Sequence, residues 1–280
     1  MKNNLLKLLL VGSFPVLLFS CKKEDVANKK MPIDPKITEQ QAIQRHVVNT
    51  MQLQTKMIGA LVGSSAGKRM SALNGFGDGC YTTSNKDSIG NMTVDFGSGG
   101  CTSGGHTYSG IVVITRNSGS LEDAGSWLNL EFQSLQIDSI VFNGTLLVEG
   151  YGTNASGNFY GRVTSNLSSG VFGLQRYDIS GTQVLDLEVV DPDNNVEEDE
   201  IYSLTGGGSG TNKDGLSFTN TITTALEFLG NGCDYVVKGN LHINTPAAPV
   251  QDTYIDYGDG TCDDQILVTE NGVPRVESLD

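Results

Sequence analysis

Residues 255–262 read Ile-Asp-Tyr-Gly-Asp-Gly-Thr-Cys, and an earlier stretch, residues 94–101, reads Val-Asp-Phe-Gly-Ser-Gly-Gly-Cys. Each stretch is preceded by a second cysteine in a glycine-containing context, in residues 77–81 and residues 230–235. The chain therefore contains the same pattern twice: Gly-x-Gly-Cys, followed later by (Val/Ile)-Asp-aromatic-Gly-x-Gly-x-Cys. A β-branched and an aromatic residue around an Asp-Gly step indicate a strand that ends in a tight turn. The duplication describes a scaffold rather than a catalytic centre.

The four cysteines of this duplicated pattern are Cys80, Cys101, Cys233 and Cys262, and the fifth cysteine of the chain is Cys21. An even number of cysteines in an exported chain predicts disulfide bonds. Three pairings of the four are compatible with the sequence, and the duplicated context favours Cys80–Cys101 and Cys233–Cys262. Each bond would stabilise the fold by about 3–4 kcal/mol in the chain-entropy model. A four-cysteine zinc site is the alternative, but no Cys-x-x-Cys spacing supports it.

The first twenty residues predict a signal peptide rather than part of the fold. Lys2 and Lys7 precede an apolar run, Leu8–Phe19, which is shorter than the ~20 residues that a bilayer span needs. Ser20 followed by Cys21 resembles the bacterial lipobox, which implies cleavage before Cys21 and its lipidation. The alternative is an ordinary secretory signal in which Cys21 is incidental.

The sequence after the cleavage site gives a more specific indication of where the protein is localised. Residues 21–25 read Cys-Lys-Lys-Glu-Asp, which resembles the start of surface-exposed lipoproteins of Bacteroidota. The two Asp-aromatic-Gly…Cys motifs are similar to motifs of the same lipoproteins. The resemblance implies an outer-membrane protein on the cell surface, with residues 21–37 as a tether, and it carries over no catalytic residue. An anchor facing the periplasm is the alternative.

The charge of the chain restricts its partners. Removing residues 1–20 takes away two of the 18 basic residues and none of the 32 acidic ones, which leaves a formal charge of −16. Nucleic acid requires a cationic surface, so we expect no nucleic-acid partner. Anionic lipid headgroups are disfavoured for the same reason, so the lipid on Cys21 would supply the link to the membrane.

The hydrophobic pattern predicts one helix followed by a β domain. Apolar residues with helical spacing and a capping box formed by Thr38 and Gln41 predict a helix over 38–60. A glycine- and serine-rich linker follows over 61–79. From 80 to 280 short alternating runs predict strands over 106–116, 127–137, 140–151, 158–166, 177–190, 216–228, 234–244 and 265–270. The fold class is mainly β: an antiparallel meander in a curved sheet, or a sandwich, with one N-terminal helix.

Glycines inside these strands predict local irregularities. A polar residue followed by glycine occurs within a strand pattern at Gly110, Gly144, Gly181 and Gly239. Such glycines indicate a bulge, a bend or a close backbone approach. The spacing between Gly181 and Gly239 is larger than the others, which indicates a further irregularity of the same kind near Gly210. The run Gly-Gly-Gly-Ser-Gly over 206–210 is interpreted as a flexible turn.

The carboxylates in and after the second motif are the candidate metal ligands. They are Asp256, Asp259, Asp263 and Asp264. Calcium prefers six to eight oxygen ligands, so a loop this rich in aspartate is compatible with a calcium site. Aspartate and glycine also form turns without any metal, and the first copy keeps only Asp95. Residues 255–261 also resemble the hallmark of PKD domains, a likeness that we attribute to shared turn chemistry.

No motif of nucleophilic or metal-dependent hydrolysis, such as G-x-S-x-G or H-E-x-x-H, occurs in the chain. We therefore expect a non-enzymatic envelope protein with a structural or binding role, whose partner is a glycan or an envelope protein. Glycan binding would require exposed aromatic side chains, for which Trp127, Tyr151, Phe159 and Tyr160 are candidates, although core packing is the alternative for each. An extracellular polysaccharide hydrolase is the second hypothesis and would require converging carboxylates.

Overall fold

The computed structural model describes residues 38–62, 80–103, 105–118, 121, 123–171, 174–190, 200–230, 233, 235–246 and 251–279. The predicted signal peptide, Cys21 with the tether, and the linker beyond residue 62 lie outside these ranges. Within them, one helix is followed by fourteen strands. No helix in the described part of the chain is both long enough and apolar enough to span a membrane.

The helix α1, Glu39–Val62, confirms the helix predicted over 38–60. Its first turn is closed by the predicted capping box: the Thr38 amide donates to Gln41 Oε1 at 3.0 Å, and the Gln41 amide donates to Thr38 Oγ1 at 3.2 Å. Ile43, Val47 and Met51 recur every four residues and are fully buried. The apolar stripe of the sequence is therefore the stripe that packs into the core.

The strands form a single antiparallel sheet of fourteen strands. Their bounds are β1 Thr82–Ser84, β2 Met92–Asp95, β3 Cys101–Ser103, β4 His106–Arg116, β5 Trp127–Ile137, β6 Ile140–Thr153, β7 Phe159–Val171, β8 Leu174–Val190, β9 Ile201–Asn212, β10 Ser217–Leu229, β11 Val236–Thr245, β12 Gln251–Asp259, β13 Gln265–Glu270 and β14 Val273–Ser278. Each strand pairs with its neighbour in sequence, except that β2 and β3 both pair with β4. The mainly β, antiparallel meander is confirmed, and all fourteen strands belong to one sheet rather than to two sheets of a sandwich.

The sheet curves around the helix. Only one stripe of α1 keeps partial exposure within 40–59, and it consists of Gln41, Arg45, Asn49, Gln52, Lys56 and Gly59. The rest of this part of the helix is buried, with strands β7, β8, β10 and β11 close to it. Gln40 donates to Thr253 of β12 at 2.8 Å, and Gln44 donates to Glu277 of β14 at 2.9 Å. Strands from β7 to β14 thus reach a single helix, which a flat sheet could not do.

Part of the contact between helix and sheet is polar. Gln54 donates from Nε2 to Ser165 Oγ at 2.8 Å and to Gln183 Oε1 at 2.6 Å, both on the inner face of the sheet. His46 Nδ1 lies 2.6 Å from Ser169 Oγ. Burial lowers the pKa of His46 to about 4, so its ring is neutral at physiological pH. These hydrogen bonds fix the position of the helix more specifically than apolar packing alone would.

The interpretation of residues 206–210 as a flexible turn is wrong, because they lie inside β9. The glycines are required by close packing instead. A Cβ at Gly210 would lie 2.5 Å from Cζ of Phe218, and a Cβ at Gly208 would lie 2.7 Å from Cγ of Gln183. The nearest atoms are backbone carbonyl oxygens of β8, those of Ser180 and Thr182, each 2.3 Å from the added Cβ. The adjacent strand and the neighbouring side chains therefore occupy the space that a side chain at either position would need.

The predicted irregularities within strands are confirmed at three of the four glycines. Register shifts lie at Gly110, Gly144 and Gly239. A register shift between β9 and β10 includes Gly206. It is the further glycine-containing irregularity that the sequence predicted near Gly210. At Gly181 the pairing is regular, and the glycine instead makes room for the ring of His46. The shifts recur along the sheet and accompany its curvature.

Candidate functional site

The two disulfide bonds join the cysteines that the duplicated pattern paired. Cys80 is bonded to Cys101 and Cys233 to Cys262, with Cα–Cα distances of 5.7 and 5.9 Å. The second bond connects the segment before β11 to the segment after β12, two neighbouring strands. Both predicted pairings are confirmed.

The duplicated motif forms the same local structure in both copies. Asp95 and Asp256 each accept a hydrogen bond at Oδ1 from the amide two residues further on, at 2.7 and 2.9 Å. The aromatic residue that follows, Phe96 or Tyr257, is buried in the core. Burial raises the pKa of the Tyr257 hydroxyl well above its ordinary value. Each copy is therefore a strand end that turns, inserts a ring into the core and ends in a disulfide.

The four aspartates considered as calcium ligands are Asp256, Asp259, Asp263 and Asp264. Each accepts a hydrogen bond from the protein. The hydroxyl and the amide of Thr261 both bond Asp259 and lower its pKa, and the hydroxyl of Ser278 bonds Asp264 at 2.6 Å. Among the described residues, no group of three or more His, Cys, Asp and Glu side chains is arranged to hold a metal ion. The structure uses these carboxylates to form turns and does not bring them together as a ligand set.

Three of the four candidate aromatic residues cluster on the outer face of the sheet, the face turned away from the helix. Trp127 begins β5, Tyr151 lies near the end of β6, and Tyr160 lies near the start of β7. Trp127 and Tyr160 are 36% and 39% exposed, and Tyr151 is half-buried. We call these three residues the outer aromatic patch. Phe159 points the other way and belongs to the core, as strand alternation requires.

The rings of the patch are not parallel. Tyr151 and Tyr160 have ring centroids 5.7 Å apart and planes inclined by 65°. Trp127 lies directly across from Glu149, two residues before Tyr151 on the same face, which places the two aromatic residues about 7–8 Å apart. The residue beside Tyr151 on this side is Gly125, whose amide donates to the Gly150 carbonyl at 2.9 Å. A Cβ at Gly125 would meet no atom within 4 Å, so the backbone at this position is not crowded by neighbouring atoms.

Charged side chains adjoin the patch in one row across the strands. Glu149 of β6 faces Arg162 of β7, which faces Asp186 of β8. Nε and Nη2 of Arg162 both donate to Asp186 Oδ1 at 3.2 Å. The same guanidinium lies 5.8 Å from the ring centroid of Tyr151. The hydrogen bond to Asp186 raises the pKa of Arg162 above its ordinary value. The row therefore joins hydrogen-bonding groups to the aromatic rings.

A carboxylate on β8 fixes the turn between the two tyrosines. Asn154 and Asn158 form the turn from β6 to β7, and each donates from Nδ2 to Glu188 Oε1 at 2.8 Å. Glu188 lies across from Tyr160 in the sheet. The Asn154 amide also donates to the Asn158 carbonyl at 2.8 Å. Because Tyr151 and Tyr160 flank this turn, Glu188 acts on the patch as a positioning residue.

Two histidines form separate polar pairs elsewhere on the sheet. His106 Nδ1 lies 2.8 Å from Asp138 Oδ2. His242 Nε2 lies 2.9 Å from Asp252 Oδ1, and its ring is stacked on Tyr254 with a centroid distance of 4.3 Å. Hydrogen bonds from the side chains of Asn244 and His242 lower the pKa of Asp252. Neither pair contributes to the outer aromatic patch.

Comparison of the chain with known protein families, with curated proteins and with solved structures found no match. The function is therefore argued from the geometry. The three rings were predicted from the sequence, but the charged residues that adjoin them, Glu149, Arg162, Asp186 and Glu188, were not. Their signal was the strand register: once β7 and β8 form a hairpin, Arg162 and Asp186 lie opposite each other.

Proposed function

We propose that this protein is a non-enzymatic, lipid-anchored envelope protein that binds glycans through the outer aromatic patch. The observation that carries the proposal is the clustering of Trp127, Tyr151 and Tyr160 on one exposed face. Single exposed apolar side chains are normal on a protein surface, whereas rings that cluster in one exposed patch mark an interaction site. Three on neighbouring strands therefore favour a binding surface.

The chemistry of the patch suits a sugar ring. One face of a pyranose presents C–H bonds that pack on the negative face of an aromatic ring, while its hydroxyls require hydrogen-bond partners. Trp127 and Tyr160 supply exposed rings, and Glu149, Arg162 and Asp186 supply donors and acceptors beside them. Because the two tyrosine rings are inclined to each other, they favour contact with a single polysaccharide chain over contact with the flat surface of a crystalline polysaccharide.

The second hypothesis, a polysaccharide hydrolase, is less well supported. A general acid in a glycosidase is a carboxyl whose pKa is raised. Among the described residues, the carboxyl groups whose pKa departs clearly from the ordinary value are Asp87, Asp252 and Asp259. Burial acts to raise the pKa of Asp87, but hydrogen bonds from residues 89–91 lower it overall, and hydrogen bonds also lower the pKa of the other two. These groups are held as carboxylates.

Substitution of the exposed rings tests the binding site. We expect Trp127→Ala and Tyr160→Ala each to weaken binding to a glycan selected on an array by about tenfold, or ~1.4 kcal/mol. Tyr254→Ala is the matched control, because Tyr254 is a tyrosine of β12 that is 51% exposed. Unchanged affinity in both patch variants, or an equal loss in the control, would refute this site. Release of reducing sugar ends during the incubation would favour the hydrolase.

The lipid anchor is tested at Cys21. We expect Cys21→Ala to prevent lipidation and globomycin, an inhibitor of signal peptidase II, to block cleavage before Cys21. Either treatment should remove the mature form from the outer-membrane fraction. Protease treatment of intact cells should degrade the native protein if it is surface-exposed. The two disulfides support export, because such bonds persist in oxidising compartments. An unchanged mature form in the outer membrane after either treatment would contradict lipidation at Cys21.

A further inference from the structure

The outer aromatic patch lies among an excess of negative charge. Of the side chains that the structure describes, three carboxylates and one cation, Arg162, face the patch or adjoin it. Glu149 faces both Trp127 and Arg162, and Glu188 faces Tyr160. With Asp186 included, the local formal charge of these four ionised side chains is negative. The whole chain has the same sign, with a net charge of −14.

The single cation is already compensated. Arg162 directs two of its N–H groups to Asp186, and its guanidinium also lies near the Tyr151 ring. The Asp186 carboxylate offsets the charge of the guanidinium and so weakens its attraction for an acidic ligand, although the guanidinium has N–H groups beyond the two that bond Asp186. Glu149 lies on its other side and would repel that ligand. The arrangement does not resemble an anion-binding site, in which cations outnumber carboxylates.

We infer that the outer aromatic patch accepts uncharged glycans and discriminates against glycans that carry carboxylate, sulfate or phosphate groups. This inference rests on the proposed function. Its physical basis is repulsion at the distance of contact, which gives specificity by penalising the wrong partner. Stacking and hydrogen bonding with hydroxyls are unaffected by the surrounding carboxylates. An acidic sugar would make the same apolar contacts and would also face Glu149 and Glu188.

Paired probes isolate the charge of the ligand. Neutral glucan, galactan and mannan oligosaccharides are each compared with the same oligosaccharide after oxidation of its C6 hydroxyls to carboxylates. The native, lipidated chain is used in a detergent without a sugar headgroup. We expect every neutral glycan that binds to do so at least about tenfold more tightly than its oxidised form at ~10 mM ionic strength, where the Debye length is about 30 Å. The ratio should shrink at ~1 M salt, where the Debye length is about 3 Å.

Substitution of Glu149 identifies the source of the discrimination. Glu149→Gln keeps the shape of the side chain and its hydrogen-bonding capacity, and it should reduce the ratio of neutral-probe affinity to oxidised-probe affinity by several-fold. Asp214→Asn is the matched control, because it removes one negative charge at an exposed position beyond the far end of β9. An oxidised probe that binds as tightly as the neutral one, or an equal effect in the control, would overturn the inference and leave glycan binding intact. Failure of every probe to bind would overturn the proposed function and the inference with it.

Discussion

Replacing Gly144 with alanine should destabilise the protein by about 4 kcal/mol, which combines ~1–3 kcal/mol of backbone strain with a similar cost of overpacking. Gly144 lies in β6 with φ at 117°, a region that residues with a side chain rarely adopt. An added Cβ would lie 2.0 Å from the carbonyl oxygen of Asn166 in β7. Relief would require β6 and β7 to separate, and these two strands are paired along most of their length.

Gly157→Ala is the control for this substitution. Gly157 lies in the turn between β6 and β7 and also has a positive φ, at 86°, but an added Cβ there would meet no atom within 4 Å. The Gly157→Ala variant should be destabilised only by the strain of a left-handed backbone at a residue with a side chain, about 1–2 kcal/mol. Equilibrium unfolding in urea would measure both variants, with equal slopes as evidence of an unchanged unfolded state. A loss at Gly144 no larger than that at Gly157 would show that the close approach to β7 carries no energetic cost.

Much of the fold could be predicted because local signals agreed with each other. The reciprocal cap at Thr38 and the four-residue apolar spacing located α1, and strands β4, β5 and β13 have the predicted bounds. Strand β9 was missed because four glycines in five residues resemble a turn. In the structure, Gly208 and Gly210 lie close to the backbone of β8 and to the side chains of Gln183 and Phe218. Strand β14 was not predicted, since Pro274 weakens its strand pattern; proline is tolerated there because β14 is an edge strand.

The site was predictable only in part, for a reason that lies in register. Alternation and turn signals indicated which rings flank the turn from β6 to β7. The row formed by Glu149, Arg162 and Asp186 depends on how β6, β7 and β8 align. The predicted strand ended at Asn166, because Ser168, Ser169 and Gly170 resemble a turn. The strand continues to Val171. Arg162 and Asp186 both lie within the strands predicted over 158–166 and 177–190, but those bounds do not specify the register that places the two residues opposite each other.

The charge around the patch also bears on association between copies of the protein. Exposed aromatic rings favour association with other proteins. Carboxylates beside the rings oppose association between copies of a chain whose net charge is −14. The same groups that we infer to reject acidic glycans would therefore also keep the patch free for an uncharged ligand.

Removing the second disulfide by the double substitution Cys233→Ser and Cys262→Ser should cost about 3–4 kcal/mol of stability in the chain-entropy model. The bond closes a segment with a sequence separation of 29 residues that contains the whole of β11 and β12. Without it the unfolded chain gains conformational freedom, whereas the folded chain keeps the pairing of Lys238 with Asp259 and the hydrogen bond from the Gly260 amide to the Val237 carbonyl at 2.9 Å. The slope of urea unfolding should rise, because a less constrained unfolded state exposes more surface.

The first copy of the motif supplies the matched comparison. Cys80→Ser with Cys101→Ser removes a bond with a sequence separation of 21 residues, and the logarithmic dependence on loop length predicts a loss within about 0.5 kcal/mol of the other. Similar losses from both double variants would identify the two motifs as equivalent covalent supports at different positions in the sheet. A loss below ~1 kcal/mol from either variant would contradict this entropic role. In that case the buried ring, Phe96 or Tyr257, would hold its strand end in place without the bond.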